Sequence, residues 1–209
     1  MTIFILTVLA LIAAVLTILA AYQGWRLMHY LFKPLTIVFI ILIALRPNHP
    51  TSSFYKYMIV AGLLFSLAGD IFLMLPDHFI KGLVSFLIAH LFYIAAFMFE
   101  SGRALSLLSA IPFLIYGGLM LSVLRPHLGK MRLPVMFYML AILMMGWTAV
   151  SRWMLVEQPS SILAMLGALF FIASDSLLSL DKFKGRFRTA QLLTFSTYTV
   201  AQWLIALST

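Results

Sequence analysis

The chain contains no cysteine, and only 10% of its residues are charged. Without cysteine it can form no disulfide bond and carry out no thiolate chemistry. Acidic side chains are especially scarce, with 6 Asp and Glu against 14 Lys and Arg. The low charge and the hydrophobic share of 64% lie outside the usual range of soluble domains. This composition indicates an integral membrane protein.

The formal net charge of +8 raises the question of a nucleic-acid partner. Nucleic-acid binding requires basic residues clustered on a solvated face. Here the basic residues lie mostly in short segments between apolar runs, so membrane topology explains the charge better. We expect no nucleic-acid partner.

Eight apolar segments reach about 20 residues, the length needed to cross the hydrocarbon core of a bilayer. Helices satisfy all their backbone hydrogen bonds internally, so we predict an all-α integral membrane protein with eight transmembrane helices. No basic residue precedes the first segment, so we expect a membrane span there and not a signal peptide. The short loops predict a single transmembrane bundle domain over residues 1–209. The segments are Ile3–Tyr22, Gly24–Leu45, Tyr57–Leu75, Ile80–Phe99, Ala104–Leu124, Arg132–Ser151, Ile162–Leu180 and Ala190–Leu207.

The distribution of Lys and Arg between the loops predicts the orientation, because positively charged loops stay in the cytoplasm. The even-numbered loops hold four of these residues: Arg46, Lys56, Arg103 and Arg152. The odd-numbered loops and their borders hold the other ten: Arg26, Lys33, Lys81, Arg125, Lys130, Arg132, Lys182, Lys184, Arg186 and Arg188. We therefore expect both termini outside, in a bacterial inner (cytoplasmic) membrane.

Two aspartates, Asp70 and Asp175, lie inside the apolar stretches SLAGDIFLML and FIASDSLLSL. A carboxylate within a bilayer costs several kcal/mol, so an intramembrane acid indicates a functional site. Both lie near the predicted cytoplasmic ends of their helices, about 7 to 8 Å deep at the rise of an α-helix. The other acids, Asp77, Glu100, Glu157 and Asp181, fall in loops or at helix ends, where we assign them no chemistry.

The two aspartates share a spacing to a tyrosine, since Tyr93 follows Asp70 by 23 positions and Tyr198 follows Asp175 by the same number. One interpretation is a four-plus-four internal repeat with a site between the two halves. The other is coincidence in apolar sequence of low complexity.

Two further patterns lie close to these acids. Phe79, Gly82, Phe86, His90 and Tyr93 recur at helical spacing and form one face of the fourth helix. In the second helix, Arg26, His29 and Lys33 form a cationic stripe. This stripe either extends to lipid phosphates or, at Lys33, neutralises a buried carboxylate or holds a substrate phosphate.

Three motifs resemble those of the YhhN family of multi-pass membrane proteins, whose animal members are lysoplasmalogenases. They are G-D-x-x-L at 69–73, F-x-x-G-L-x-x-F-x-x-x-H-x-x-Y at 79–93 and S-D-x-x-L at 174–178. The resemblance implies hydrolysis of the vinyl ether bond of a lysoplasmalogen, which gives a fatty aldehyde and a glycerophospho-alcohol. The implied partner is a single-chain vinyl ether phospholipid within the membrane.

Vinyl ether hydrolysis requires an acid that protonates carbon and then a base that activates water. Given the resemblance, we predict that Asp70 and Asp175 are the catalytic pair, without deciding which is the acid. His90, Tyr93 and Tyr198 would orient water or hydrogen-bond the acids. Lys33, helped by Arg26, would bind the substrate phosphate. No metal and no cofactor is predicted.

Two other functions stay open at this stage, besides a purely structural or regulatory role that would make Asp70 and Asp175 dispensable. A metal-dependent lipid hydrolase would need about three converging His or acidic ligands, and His90 is the deeply placed histidine. A proton-coupled transporter of lipids or small molecules also uses buried acids and internal repeats.

Overall fold

The structure, a computed structural model, describes residues 1–46, 49–102 and 105–209. Within these ranges the chain forms helices and no strands. The α-helices are α1 Thr2–Gln23, α2 Arg26–Ala44, α3 Ser53–Met74, α4 Phe79–Glu100, α5 Ile111–Leu124, α6 Arg132–Leu155, α7 Pro159–Ser179 and α8 Ala190–Leu207. Each of the eight predicted segments therefore coincides with a helix, and the all-α prediction is confirmed.

Seven of the helical stretches are long and apolar enough to cross a membrane. They comprise α1 to α7, with short flanking turns added to α5, α6 and α7. Helix α8 has 18 residues and is more polar, with Gln191 and Gln202 among them. The chain is thus an integral membrane protein, while the count of eight spans, the internal repeat and the outward placement of both termini remain predictions.

The largest boundary differences are at α3, α5 and α6. Helix α3 begins at Ser53, four residues before the predicted start at Tyr57, so Lys56 lies in its first turn and not in a loop. Helix α5 begins at Ile111, after a short 3₁₀ turn at Leu108–Ala110, and not at residue 104. Helix α6 continues to Leu155, one turn beyond the predicted end at Ser151. Arg103, assigned above to an outer loop, lies outside the described residues.

The placement of Arg152 in a loop was wrong, because this residue lies inside α6 and is fully buried. Its guanidinium donates hydrogen bonds to the Tyr55 hydroxyl at 3.1 Å and to the Ser160 carbonyl and hydroxyl oxygens at 3.2 and 2.9 Å. It also lies 4.4 Å from the centre of the Tyr55 ring. These internal acceptors replace water, so the arginine can be buried and the helix need not end before it.

Six helices form a closed ring in which α2, α3, α4, α6, α7 and α8 contact one another in that order and α8 returns to α2. Helix α1 packs outside the ring against α2 and α8, and α5 packs outside it against α6. Most of the large buried side chains lie where the ring helices meet. The ring interior is therefore where buried polar side chains from several helices can converge.

Helices α3 and α4 approach closely beside Asp70. A Cβ atom at Gly69 would lie 2.7 Å from the Phe86 ring, and one at Gly82 would lie 2.7 Å from Leu73. The predicted face of the fourth helix points into the bundle, since Gly82, Phe86, His90 and Tyr93 are buried. This packing fixes the end of α3 that carries Asp70.

Candidate active site

Asp70 lies in the last turns of α3 and is only 2% exposed. Lys33 reaches it from α2, with 3.1 Å between Nζ and Oδ1. Tyr198 donates a hydrogen bond from α8 to Oδ2 at 2.6 Å. Two neighbouring helices thus supply the Asp70 carboxylate of α3 with a cation and a hydroxyl donor, which offset the cost of its burial.

Asp175 lies near the end of α7 and is half-buried. The Tyr138 hydroxyl of α6 donates a hydrogen bond to its Oδ2 atom. Among the described residues, no Lys, Arg or His lies within ion-pair distance of Asp175. The two aspartates therefore differ in environment: Asp70 has a cation partner, and Asp175 has a neutral one.

Both aspartates border one cavity of about 70 Å³. Lys33 and Tyr198 line it, as do the polar side chains of Ser174, Gln191 and Thr194. Apolar side chains complete the lining, and a partly polar cavity of this size has room for a few water molecules. The structure thus brings together the two acids and the lysine that the sequence singled out, in a site that can hold water.

Phe86 lines the cavity of the two acids, and His90 and Tyr93 lie further along the same buried face of α4. The His90 ring is fully buried, with its centre 5.2 Å from that of Tyr138 and 4.8 Å from that of Phe171. Its nitrogen atoms make no hydrogen bond within the described part of the chain. The Tyr93 hydroxyl donates to Gln202 at 2.8 Å. Of the three residues expected to support the acids, Tyr198 alone hydrogen-bonds one of them directly in the described structure.

Tyr198 bonds Asp70 and not Asp175, the acid 23 positions before it. Tyr93, at the same spacing from Asp70, bonds Gln202. Equivalent positions of the proposed repeat therefore make different contacts, and the two halves of the site are chemically unequal.

Arg26 is exposed at the first turn of α2, and its side chain makes no ion pair with the residues that the structure describes. His29 lies between Arg26 and Lys33, and its Nδ1 atom is 3.2 Å from the carbonyl oxygen of Thr17. The cationic stripe therefore divides: Lys33 belongs to the acid site, and Arg26 lies at its periphery.

Tyr138 is the site residue that sequence reasoning missed. It lies in the middle of an apolar segment with no charged neighbour, where a tyrosine commonly fills space. The available signal was chemical, because a buried phenol needs a hydrogen-bond partner and the chain has only 6 acidic side chains that could serve as charged acceptors.

A metal ion at this site would need several converging ligands. The described ranges contain no group of three or more His, Asp or Glu side chains placed to hold one ion. His90, the deep histidine of the metal alternative, is surrounded by aromatic rings.

The fold and the site define an all-helical integral membrane protein with an asymmetric pair of aspartates inside its helical ring. Residues 28–209 match the model of the YhhN family. The chain is 37% identical to lysoplasmalogenase TMEM86A of Bos taurus over 167 residues, which cover 77% of this chain and 67% of that protein. It is 36% identical to the human protein of the same name, covering 77% of this chain and 66% of that protein.

A bacterial relative covers more of the sequence. The uncharacterized membrane protein YhhN of Escherichia coli O157:H7 is 28% identical over 200 residues, 94% of each chain. No solved structure gives a significant match. The protein belongs to the YhhN family, and it spans about two thirds of the length of the mammalian lysoplasmalogenases it resembles.

Proposed function

We propose that this protein hydrolyses the vinyl ether bond of a lysoplasmalogen, a glycerophospholipid with one alkenyl chain. The observation that carries the proposal is the cavity bordered by Asp70, Asp175 and Lys33 inside the helical ring. The mammalian relatives named lysoplasmalogenase support the substrate class.

The reaction adds one water across the enol ether. A proton goes to the β-carbon of the double bond, and the carbon attached to oxygen becomes part of an oxocarbenium ion. Water attacks that carbon and loses a proton to a base, which gives a hemiacetal. The hemiacetal then releases the glycerophospho-alcohol and leaves a fatty aldehyde. The protein must therefore supply one proton donor and one proton acceptor.

We assign the donor to Asp175 and the acceptor to Asp70. The ammonium of Lys33, 3.1 Å from Asp70, favours a carboxylate there. Asp175 has no such cation among the described residues, and burial penalises a charged carboxyl group. Because Tyr138 donates to Oδ2 of Asp175, the other carboxyl oxygen is left to carry the proton. An ionised Asp70 can stabilise the oxocarbenium ion and accept the proton of water.

The remaining predicted residues receive more indirect roles. Lys33 holds Asp70 and presents positive charge to the cavity, where a phosphate could also approach it. Arg26 lies two helical turns away, about 10 Å by helical rise, and would attract the phosphate at the entrance. His90 would position Tyr138 through ring contact, and Tyr93 would fix Gln202 beside Tyr198.

The test uses purified protein in detergent, without any ion gradient. Alkenyl, alkyl and acyl lysophospholipids with matched chains are incubated with the wild type, Asp70→Asn and Asp175→Asn. Aldehyde and fatty acid release are followed separately. We expect aldehyde from the alkenyl lipid alone and a loss of more than about a hundredfold in both variants.

Asp77→Asn is the matched control, because Asp77 is exposed in the loop between α3 and α4 and asparagine tolerates its positive φ of 61°. Fatty acid release would assign a different bond. Loss of activity on chelation, with zinc found by elemental analysis, would favour the metal-dependent alternative. No turnover by the wild type with any lipid would contradict the proposal and favour a transporter.

We also propose a bacterial cytoplasmic membrane as the location, with the odd-numbered loops in the cytoplasm. The charge distribution and the bacterial membrane-protein relative support this placement. The absence of cysteine makes labelling simple, because a single introduced thiol reports its own side of the membrane. Lys184→Cys should resist an impermeant thiol reagent in intact cells, and Glu157→Cys should react with it. The reverse result would invert the topology.

A further inference from the structure

A large apolar depression lies between α5 and α6. It has a volume of about 340 Å³, and Gly117 and Gly118 of α5 and Met136, Leu140 and Leu143 of α6 line it. Helix α5 contacts the rest of the bundle mainly through α6, and few of its residues are buried. The groove therefore opens sideways, toward the lipid.

A smaller cavity of about 30 Å³, called here the connecting cavity, shares lining residues with both this groove and the acid site. It is bordered by Met139 and Leu143, which also line the groove, and by Asp175 and Tyr138. Asp175 in turn borders the cavity of Lys33 and Asp70. A continuous series of lining residues thus runs from Lys33, past Asp175, to the lipid-facing groove.

The polarity changes along this series. On the Lys33 side the lining contains Asp70, Gln191 and Thr194, and on the far side it is apolar apart from glycine. Another small cavity borders Asp175 but ends beside Lys182, whose ammonium lies 4.8 Å from the centre of the Phe79 ring. The cavity beside Lys182 therefore suits a polar group of a ligand. The groove between α5 and α6 has no charged lining residue and suits an apolar group.

We propose that the groove between α5 and α6 binds the hydrocarbon chain of the substrate, with the reactive double bond at Asp175 and the phosphate end on the Lys33 side. This inference rests on the proposed function. In a vinyl ether lipid the carbon that accepts the proton is the double-bond carbon attached to the rest of the hydrocarbon chain. The chain and the polar end are attached to different carbons of the double bond, so a bond held at Asp175 can place the chain in the groove and the polar end in the cavity of Lys33.

The connecting cavity is narrow, and two methionines border it, Met120 and Met139. Methionine side chains are unbranched and adapt readily to a new occupant. Since the chain leaves lipid of similar polarity, the groove gains little hydrophobic free energy on binding it. Its contribution is alignment of the bond with Asp175, which would appear in turnover and in chain-length selectivity.

Gly118 offers a clean way to fill the groove. Gly118 lines the groove and a Cβ atom there would have no neighbouring atom within 4 Å, so Gly118→Leu adds a side chain at the groove from an unobstructed position. Leucine is also a better helix former than glycine, so folding should not suffer. The matched control is Leu119→Phe on the same helix, at a residue that is 63% exposed and does not line the groove.

We expect Gly118→Leu to lower kcat/KM for long-chain alkenyl substrates by more than about tenfold, and to leave a short-chain alkenyl substrate unaffected. Leu119→Phe should match the wild type with both. Equal effects of Gly118→Leu on both chain lengths, or no effect on either, would overturn the proposed groove.

A second measurement does not depend on turnover. A non-hydrolysable alkyl lysophospholipid with a photoreactive group at its chain end is crosslinked to the wild-type protein, with and without excess unlabelled lipid. We expect crosslinks in α5 and α6 that the unlabelled lipid suppresses. Crosslinks spread over all lipid-facing helices, or unaffected by competitor, would mean ordinary lipid contact only and would contradict the proposal. If the crosslinks map to the groove while the wild type releases no aldehyde, the proposed function fails and the binding site stands.

Discussion

Lys33→Met removes the cation that pairs with Asp70, the most buried acidic side chain of the described residues. The ion pair joins atoms 3.1 Å apart, and Asp70 is 2% exposed. At that distance the Coulomb attraction amounts to about 5 kcal/mol with an effective dielectric constant near 20. Removal of one partner of a buried pair typically costs about 3 to 5 kcal/mol. The hydrogen bond from Tyr198 and uptake of a proton by Asp70 both limit the loss, so we expect about 2 to 4 kcal/mol.

Asp70→Asn should cost less, because the Lys33 side chain is 12% exposed and long enough to turn its ammonium toward solvent. In the double variant Lys33→Met/Asp70→Asn no buried charge is left without a partner. The double variant should therefore lose less unfolding free energy than the two single variants lose together. The difference, the coupling free energy, should be about 2 kcal/mol.

Thermal unfolding in detergent, followed by the fluorescence of the 4 tryptophans, measures these differences. A loss of 2 to 4 kcal/mol corresponds to a fall in Tm of about 5 to 15 °C for a chain of this length. Lys81→Met is the control, since Lys81 is exposed at the start of α4. If Lys33→Met unfolds at the same temperature as Lys81→Met, and the double variant is additive, the ion pair does not stabilise the fold.

Three further changes test other parts of the structure. Tyr138→Phe removes the hydroxyl donor from Asp175 and should lower kcat by about 10- to 100-fold with little change in KM, as steady-state kinetics would reveal. Gly69→Ala would place a Cβ 2.7 Å from the Phe86 ring and should destabilise the protein by about 1 to 3 kcal/mol, whereas Gly118→Ala should be neutral or stabilising in the same unfolding assay. Arg152→Met leaves the Ser160 oxygens without their donor and should cost about 2 to 4 kcal/mol. Aldehyde release per folded Arg152→Met molecule should be unchanged, because Tyr55, which Arg152 contacts, lies about 22 Å along α3 from Asp70.

The sequence predicted the helices well because each depends on local composition. The fourth segment, predicted as Ile80–Phe99, is observed as Phe79–Glu100. The exceptions arise where tertiary contacts decide. Arg152 resembles a loop residue by its charge. Its acceptors come together only when the bundle folds, because Tyr55 is distant in the sequence and Ser160 lies beyond the loop that follows α6.

The site was predictable in part for a similar reason. Asp70 and Asp175 stand out because a charge in an apolar segment is costly, and Lys33 because it lies deep enough to meet one. Tyr138 carries no such signal, and its contact with Asp175 depends on how α6 packs against α7. The pairing of Tyr198 with Asp70 crosses from the last helix to the third, which no spacing along one helix could indicate.

The most direct measurement of the central claim is aldehyde release from an alkenyl lysophospholipid by the purified protein in detergent, with Asp175→Asn and Asp77→Asn compared at equal folded concentration. We expect aldehyde from the wild type and from Asp77→Asn, and a loss of more than about a hundredfold in Asp175→Asn. Undiminished aldehyde release by Asp175→Asn would contradict the assignment of the acid, and no release by any of the three proteins would contradict the proposed reaction.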